Sequence, residues 1–486
     1  MSELFRLTLA EAAAGLAAKK FTSVELTASS LARIKATEPQ VGACLAVLEE
    51  RAMGEAAAAD KSGPDPARPL RGLPVTVKDV FCLKGAPTTA GSRILENYRP
   101  VFEATVVARL REAGAVVVAK TNCDEFAMGS STEFSAFKTT RNPRDLSRVP
   151  GGSSGGAAAS VVSLQAAAAL GTDTGGSIRQ PAALCGCLGL KPTYGRVSRH
   201  GIVAYGSSFD QAGPLARSSA DLGLILSAVA GPDGLDSTAS DHPLDDYANA
   251  VPADPKKLTL GLPEELWSAD FDGGVARCLD EARKLLTNAG VGLRPVSLPN
   301  LRFSVAVYYI LAAAEASTNL ARYDGVRYGY RAGGDHELLS LYRNSRTRAM
   351  GEEVRRRIML GTFVLSSGYY DAYFRKAAQV RRLIAEDYRR ALEGCDFLLA
   401  PVSSIPAWPF GAFAADPLTV YQLDMMTLPL NIVGAPGLAL PAGLTPGGLP
   451  VGLQLMGRHF DELGLLSAAG AMERVLPSPG DPPPLG

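Results

Sequence analysis

Apolar positions along the chain switch repeatedly between two spacings, and the switching predicts the elements. Over residues 8–18 and 23–37 they recur at three- and four-residue steps, the spacing of one helix face. Each run begins at a threonine with a glutamate three residues on, Thr8 with Glu11 and Thr22 with Glu25, which fits a capping box. Short β-branched or apolar runs predict strands at 43–48, 73–78 and 115–120, with helices at 51–60 and 104–113 between them and a loop at 61–69. Further on, the pattern predicts a helix after Ser153, a strand at 166–171 and a helix after Ser177. The run 184–190 leads into a turn and strand over 191–198. A helix at 220–230, a polar loop at 231–243, a strand at 258–262 and a helix at 272–289 follow. From 305 to about 391 the chain reads as mainly helical and rich in tyrosine and arginine. Strands at 397–401, 437–440 and 452–456 close the pattern, and the Pro/Gly-rich residues 477–486 are expected to fray.

Strands alternating with helices imply an α/β fold: one large domain whose central mixed, mostly parallel sheet is covered by helices on both faces. Ligands of such sheets sit beyond the carboxyl ends of strands. Lys78 and the turn 172–177 both fall at such ends.

Composition narrows the class. The 486 residues exceed the size at which one core usually stops growing, yet no strong linker divides them. The 49 basic and 49 acidic residues cancel, so no global field draws the chain to nucleic acid or to anionic lipid. The N-terminus has no basic segment followed by an apolar stretch, and no apolar run reaches membrane-spanning length. The seven cysteines point to reduced thiols in a cytoplasmic protein. Cys185-Gly-Cys187 would supply half a metal site, but no second pair stands at ligand spacing, so buried thiols and no metal are expected.

Two glycine-framed serines stand out. Residues 151–156 read Gly-Gly-Ser-Ser-Gly-Gly, and 171–177 read Gly-Thr-Asp-Thr-Gly-Gly-Ser. The first could be a flexible linker, but it runs straight into the apolar segment 157–170. A serine hydroxyl needs a base to become a nucleophile. Of the four histidines, His200, His242, His336 and His459, none lies in either motif, although His200 remains open as a base. The other route is a neutral lysine. Lysine titrates near ~10.4 in water, and desolvation lowers that value. Lys78, at the end of an apolar strand, is placed for such burial; its other reading is an ordinary strand-end charge. The glycines before Ser177 would let the backbone N–H groups of Thr174, Gly175 and Gly176 face an oxyanion, or they serve only a structural turn.

Lys78, the 151–156 motif and the run Gly171-Thr-Asp-Thr-Gly-Gly-Ser-Ile-Arg-Gln-Pro-Ala182 together resemble the amidase signature family, and residues 185–196 continue the match. The resemblance implies a triad in which Ser177 is the nucleophile, Ser153 a bridging serine after a cis peptide bond, and Lys78 the base. It runs from about Leu7 to Arg474, so it implies one domain over 1–474, with a helical substrate-binding subregion near 305–391 and a Pro-rich tail at 475–486.

Residues 314–329 and 357–371 resemble one branch of the family, the ammonia-releasing components of tRNA-dependent amidotransferases. That branch implies glutamine as donor, held by Tyr308, Arg357 and Asp424, with Met128, Ser130 and Gln211 lining the pocket. An arginine fork for the carboxylate and an aspartate for the ammonium suit a free amino acid. Without the resemblance, Arg357 belongs to an Arg-Arg-Arg run that also reads as a solvated helix face. The branch further implies a heterotrimer: a B subunit that binds misacylated glutamyl-tRNA (in some organisms also aspartyl-tRNA), ATP and Mg2+, and a small C subunit. This chain itself would need no cofactor and would meet tRNA only through the B subunit. A stand-alone amidase acting on another small or aryl amide, and a catalytically dead assembly component, are the alternatives.

Overall fold

In the computed structural model, residues 3–63, 65, 67–334 and 337–485 are described. Eleven strands form one sheet: β1 (Cys44–Val47), β2 (Pro74–Lys78), β3 (Val116–Thr121), β4 (Ala168–Asp173), β5 (Leu188–Lys191), β6 (Gln211–Ala216), β7 (Thr259–Pro263), β8 (Gly292–Val296), β9 (Phe397–Pro401), β10 (Gly437–Leu444) and β11 (Pro450–Met456). Their order across the sheet is β1-β3-β2-β4-β6-β5-β10-β11-β9-β7-β8.

Helices cover both faces, and the two-residue period of the strands shows it. Along β4, Ala168 and Leu170 join one apolar cluster with Leu222, Ile225 and Leu226 of helix Ser219–Val229. Ala169 between them joins the opposite cluster with Ala157, Ala158 and Val161 of helix Gly155–Val162. Successive side chains of a strand point to opposite faces, so both faces of β4 are buried. This bears out a single α/β sheet flanked by helices.

The expectation of a mostly parallel sheet is corrected. Four strand pairings are parallel (β2 with β3 and β4, β7 with β8 and β9) and six are antiparallel. Strand–helix alternation holds in the two parallel wings. The middle is built differently: β10 and β11 form a hairpin, and β5 and β6 are strand neighbours joined by a loop. β6 (Gln-Ala-Gly-Pro-Leu-Ala) contains Gly213 and Pro214, which disguise a strand as a turn. The strand expected over 191–198 is absent beyond Lys191; Val197 makes only an isolated bridge to Gly231.

Both capping boxes form, at Thr8 with Glu11 and at Thr22 with Glu25. The second helix runs past Thr37 and through Pro39 to Val41, and Gly42 at φ +66° ends it. The mainly helical stretch contains Ser304–Asn319, Leu338–Ala349, Glu352–Val364 and Lys376–Ala391. The C-terminal residues are packed rather than frayed. Arg144 donates to the carbonyls of Pro479, Gly480 and Asp481, Arg33 donates to that of Leu485, and the Leu485 side chain is buried. All seven cysteines are unpaired and buried.

Candidate active site

The parallel pairing of β2 with β4 carries two chain ends to the same edge. Val77 lies opposite Leu170, so Lys78 emerges beside Gly171 and Thr172. The turn from Thr174 to Ser177 then leaves β4 and enters helix Arg179–Cys185. Ser153 comes in from the turn that precedes helix Gly155–Val162, and the Gly152–Ser153 peptide is cis.

Lys78 is wholly buried. Its amine lies 2.7 Å from Ser153 Oγ, 2.8 Å from Thr172 Oγ1 and 3.0 Å from Ser154 Oγ. No carboxylate pairs with it among the described residues, whereas Lys120 on the next strand is paired with Asp79 at 2.8 Å. Burial lowers the Lys78 amine from an ordinary 10.5 to about 8, against the weaker opposing pull of Cys123, Asp124 and Asp210.

The amine stands within donating distance of three hydroxyl oxygens. Ser154 Oγ already donates to the Thr172 carbonyl at 3.0 Å, so it can only accept from the lysine. A charged amine donates to all three. Once it has lost a proton it keeps two hydrogens and one lone pair, and that lone pair can accept from a hydroxyl such as that of Ser153, the nearest at 2.7 Å.

Ser177 faces a small pocket, with its hydroxyl bonded to no group among the described residues. The pocket holds about 10 Å³ of free volume. Ser130, Tyr308, Arg357 and Asp424 line it together with Gly175 and Gly176. Thus four of the six expected substrate-binding residues meet around Ser177. Met128 is buried behind the wall, between the lining residues Ala127 and Gly129. Gln211 sits in β6 opposite Asp173, away from the lining.

The donor set of the 174–177 turn also differs from expectation. The Gly176 N–H is engaged by Asp173 Oδ1 at 2.8 Å, so it is not free for an oxyanion. Thr174 and Gly175 have amides with no acceptor among the described residues, and the Thr174 hydroxyl is tied to Asp210 at 2.7 Å. Asp173 is itself fixed by Arg179, at 3.0 Å, and by Asn431, at 2.8 Å. Two glycines are required here for space. A Cβ on Gly175 would stand 2.7 Å from the Tyr308 ring, and Gly176 has φ +135° with the Thr427 side chain against it.

Arg357 and Asp424 are both buried, and each has a fixed frame. Arg357 Nε donates to Glu353 Oε1 at 2.7 Å, one helical turn back, and Nη1 donates to the Tyr205 hydroxyl at 2.5 Å. Tyr205, Tyr309 and Tyr421 place their rings 5.0–5.5 Å from its guanidinium carbon. Asp424 accepts from Ser130 Oγ at 2.9 Å and from the Tyr309 hydroxyl at 2.8 Å. Burial raises the Asp424 carboxyl from 3.8 to about 6.

Sequence reasoning missed Ser154, Thr172, Tyr309 and Glu353. Ser154 and Thr172 stood inside the recognised motifs, and Glu353 stood four residues before Arg357, the spacing of a helical ion pair. The adjacent tyrosines divide the work: Tyr308 lies against Gly175, while Tyr309 holds Asp424. His200 lies outside the pocket, with its ring near Thr105 and Phe102; His336 falls outside the described residues.

A buried lysine without a counter-ion, serines at its tip and a hydroxyl facing a pocket are the groups that a serine-type amide hydrolase with a lysine base needs. The Amidase family pattern matches residues 25–466, and the chain belongs to that family. It is 57% identical to the A subunit of the glutamyl-tRNA(Gln) amidotransferase of Oleidesulfovibrio alaskensis, over 98% of each chain. It is 55% identical to the protein of the same name from Nitratidesulfovibrio vulgaris, over 99% of each. Among solved structures, the A subunit of the Thermotoga maritima glutamyl-tRNA(Gln) amidotransferase superposes with a TM-score of 0.82 at 40% identity, over 99% of both chains. The peptide amidase of Stenotrophomonas maltophilia gives 0.82 at 31%, over 98% of this chain and 99% of that one.

Proposed function

We propose that this chain is the glutamine-hydrolysing subunit of a tRNA-dependent amidotransferase. The observation that carries the chemistry is the buried Lys78 amine, without a carboxylate partner among the described residues and 2.7 Å from the Ser153 hydroxyl. The likeness of sequence, over the whole chain, to glutamyl-tRNA(Gln) amidotransferase components supports the assembly.

Glutamine enters with its α-carboxylate toward Arg357 and its ammonium toward Asp424, which leaves the side-chain amide at Ser177. Lys78 takes the Ser153 proton, Ser153 takes that of Ser177, and Ser177 Oγ attacks the amide carbon. The oxyanion faces the amides of Thr174 and Gly175. The proton returns by the same route to the departing nitrogen, so ammonia leaves and a glutamyl ester remains on Ser177. Water, activated through the same relay, hydrolyses the ester to glutamate.

The ammonia then serves a partner B subunit that binds misacylated tRNA, ATP and Mg2+ and converts glutamyl-tRNA to glutaminyl-tRNA, with a small C subunit completing a cytoplasmic heterotrimer. Among the described residues, no helix is long and apolar enough to cross a membrane, and no group of three or more His, Cys, Asp or Glu is placed to hold a metal ion.

The test is amidation of glutamyl-tRNA by the chain co-purified with its partners, with glutamine as donor. Ser177→Ala should abolish glutamine-dependent amidation while leaving amidation with free ammonium intact. Rapid hydrolysis of aryl amides, with no ammonia released from glutamine, would refute the assignment.

A further inference from the structure

A far roomier cavity lies apart from the one at Ser177. It encloses about 910 Å³, at the upper end of the range for ligand sites, between the segments 93–102, 200–204 and 322–331. Arg93, Arg322, Arg327 and Arg331 line it, and no lysine, aspartate or glutamate does. All four arginines are exposed, and none pairs with a carboxylate among the described residues. Arg322 Nε bonds only the Asn319 carbonyl. Asp324 accepts through one oxygen from the amides of Val326 and Arg327, and its charge faces Arg327 without forming an ion pair with it. Tyr328 and Tyr330 add half-exposed rings to the same wall.

We propose that this cavity receives an acidic segment of a partner subunit, whose carboxylates pair with the four guanidinium groups and whose apolar side chains lie on the tyrosines. The inference rests on the reading of the chain as one component of an amidotransferase.

Charge complementarity is the first argument. Four arginines, none in an ion pair among the described residues, line one concavity of a chain with no net charge, and a surface of that kind attracts an anionic partner. Composition is the second: arginine and tyrosine without lysine is the make-up of protein interface cores, where planar guanidinium forks grip carboxylates. A site for the RNA backbone would instead be expected on a basic stripe of a basic domain, whereas the sequence isoelectric point here is about 6.9.

The cavity also shares a wall with the active site. The Tyr323 ring lies 5.1 Å from that of Phe126, which directly precedes the pocket residue Ala127. Ala204 directly precedes Tyr205, whose hydroxyl holds Arg357.

The experiment uses the full chain co-expressed with its cognate amidotransferase partners. Hydrogen exchange is measured on the free chain, on the complex, and on the free chain with purified tRNA. Partner binding is then measured for Arg93→Glu/Arg327→Glu and for Arg93→Lys/Arg327→Lys. We expect slowed exchange in 93–98 and 322–331 in the complex alone. We also expect at least tenfold weaker partner binding for the glutamate pair, a smaller loss for the lysine pair, and glutamine hydrolysis by the free variants equal to that of the unaltered chain. Protection by tRNA without partners, or wild-type partner affinity of the glutamate pair, would overturn the proposal. If the unaltered complex amidates glutamyl-tRNA while these segments stay unprotected, the docking inference fails alone. If no complex forms, the reading of the chain as an amidotransferase component fails with it.

Discussion

Placing an anion beside Lys78 should restore its charge and silence the enzyme in a way that alkali reverses. Thr172→Asp does this with little change of volume, because Thr172 Oγ1 already lies 2.8 Å from the amine. Two unit charges about 4 Å apart at an effective dielectric near 20 attract by about 4 kcal/mol, roughly three pKa units. Part of that is lost to desolvation of the new carboxylate, which leaves a rise of roughly two units from the present value of about 8. At pH 7 an amine with a pKa near 8 is uncharged about one time in ten; near 10, roughly one time in a thousand. Ammonia release from glutamine at pH 7 should therefore fall roughly a hundredfold in kcat/KM. The sign follows from the role of the base: only the neutral amine accepts a proton, so activity rises with pH through the lysine pKa. That rise should move from about 8 in the unaltered chain to the neighbourhood of 10 in the variant. The assay is kcat/KM for ammonia release between pH 6 and pH 10.5, with the thermal unfolding midpoint checked in parallel. Thr172→Asn, of the same shape but without charge, should keep its rise near 8. A Thr172→Asp enzyme with an unshifted profile, or an Asn variant shifted equally, would refute the argument that the free amine depends on the absence of a counter-ion.

Further outcomes follow from the same geometry. Asp424→Asn should raise KM for glutamine by roughly tenfold to a hundredfold, about 1.5–3 kcal/mol for a charge-assisted hydrogen bond, with kcat changed far less. In the unaltered enzyme, glutamine binding should weaken as pH falls through about 6, where Asp424 takes up a proton and loses its hold on the ammonium; steady-state KM across pH 5–8 reads this, and the Asn variant should be flat there. Arg357→Lys should also raise KM markedly despite keeping the charge, since one ammonium cannot bond Glu353, Tyr205 and a substrate carboxylate in the fork geometry; retention of wild-type KM would count against that assignment. Removing residues 477–486 should lower the unfolding midpoint by a few degrees, through loss of the buried Leu485 and of the acceptors of Arg144 and Arg33, while glutamine hydrolysis at 25 °C stays intact.

Local signals in the sequence served well, and signals set by distant strands did not. Phe397–Pro401 forms a strand with the expected ends, and the capping boxes form where threonine and glutamate stand three apart. Both signals are carried by a few adjacent residues. The sheet's antiparallel centre was hidden because strand direction is set by partners far away in sequence, as when β10 pairs with β5. Gly292–Val296 was hidden as β6 was, by a proline and a glycine in a strand of otherwise low β propensity. At the site, the motifs drew attention to Lys78, Ser153 and Ser177 but not to the hydroxyls of Ser154 and Thr172 that also meet the lysine. In the Arg355-Arg356-Arg357 run, helix rotation decides: Arg357 turns inward to Glu353 and Tyr205, Arg356 pairs at the surface with Glu352, and Arg355 is exposed. A string of identical letters carries no trace of that division.

The narrowness of the space beside Ser177 has a consequence for entry. About 10 Å³ is room for roughly one water molecule and far too little for glutamine. The side chains around it must therefore step back before an amino acid can be seated. In this shut form, the nucleophile is shielded from whatever cannot push that wall aside.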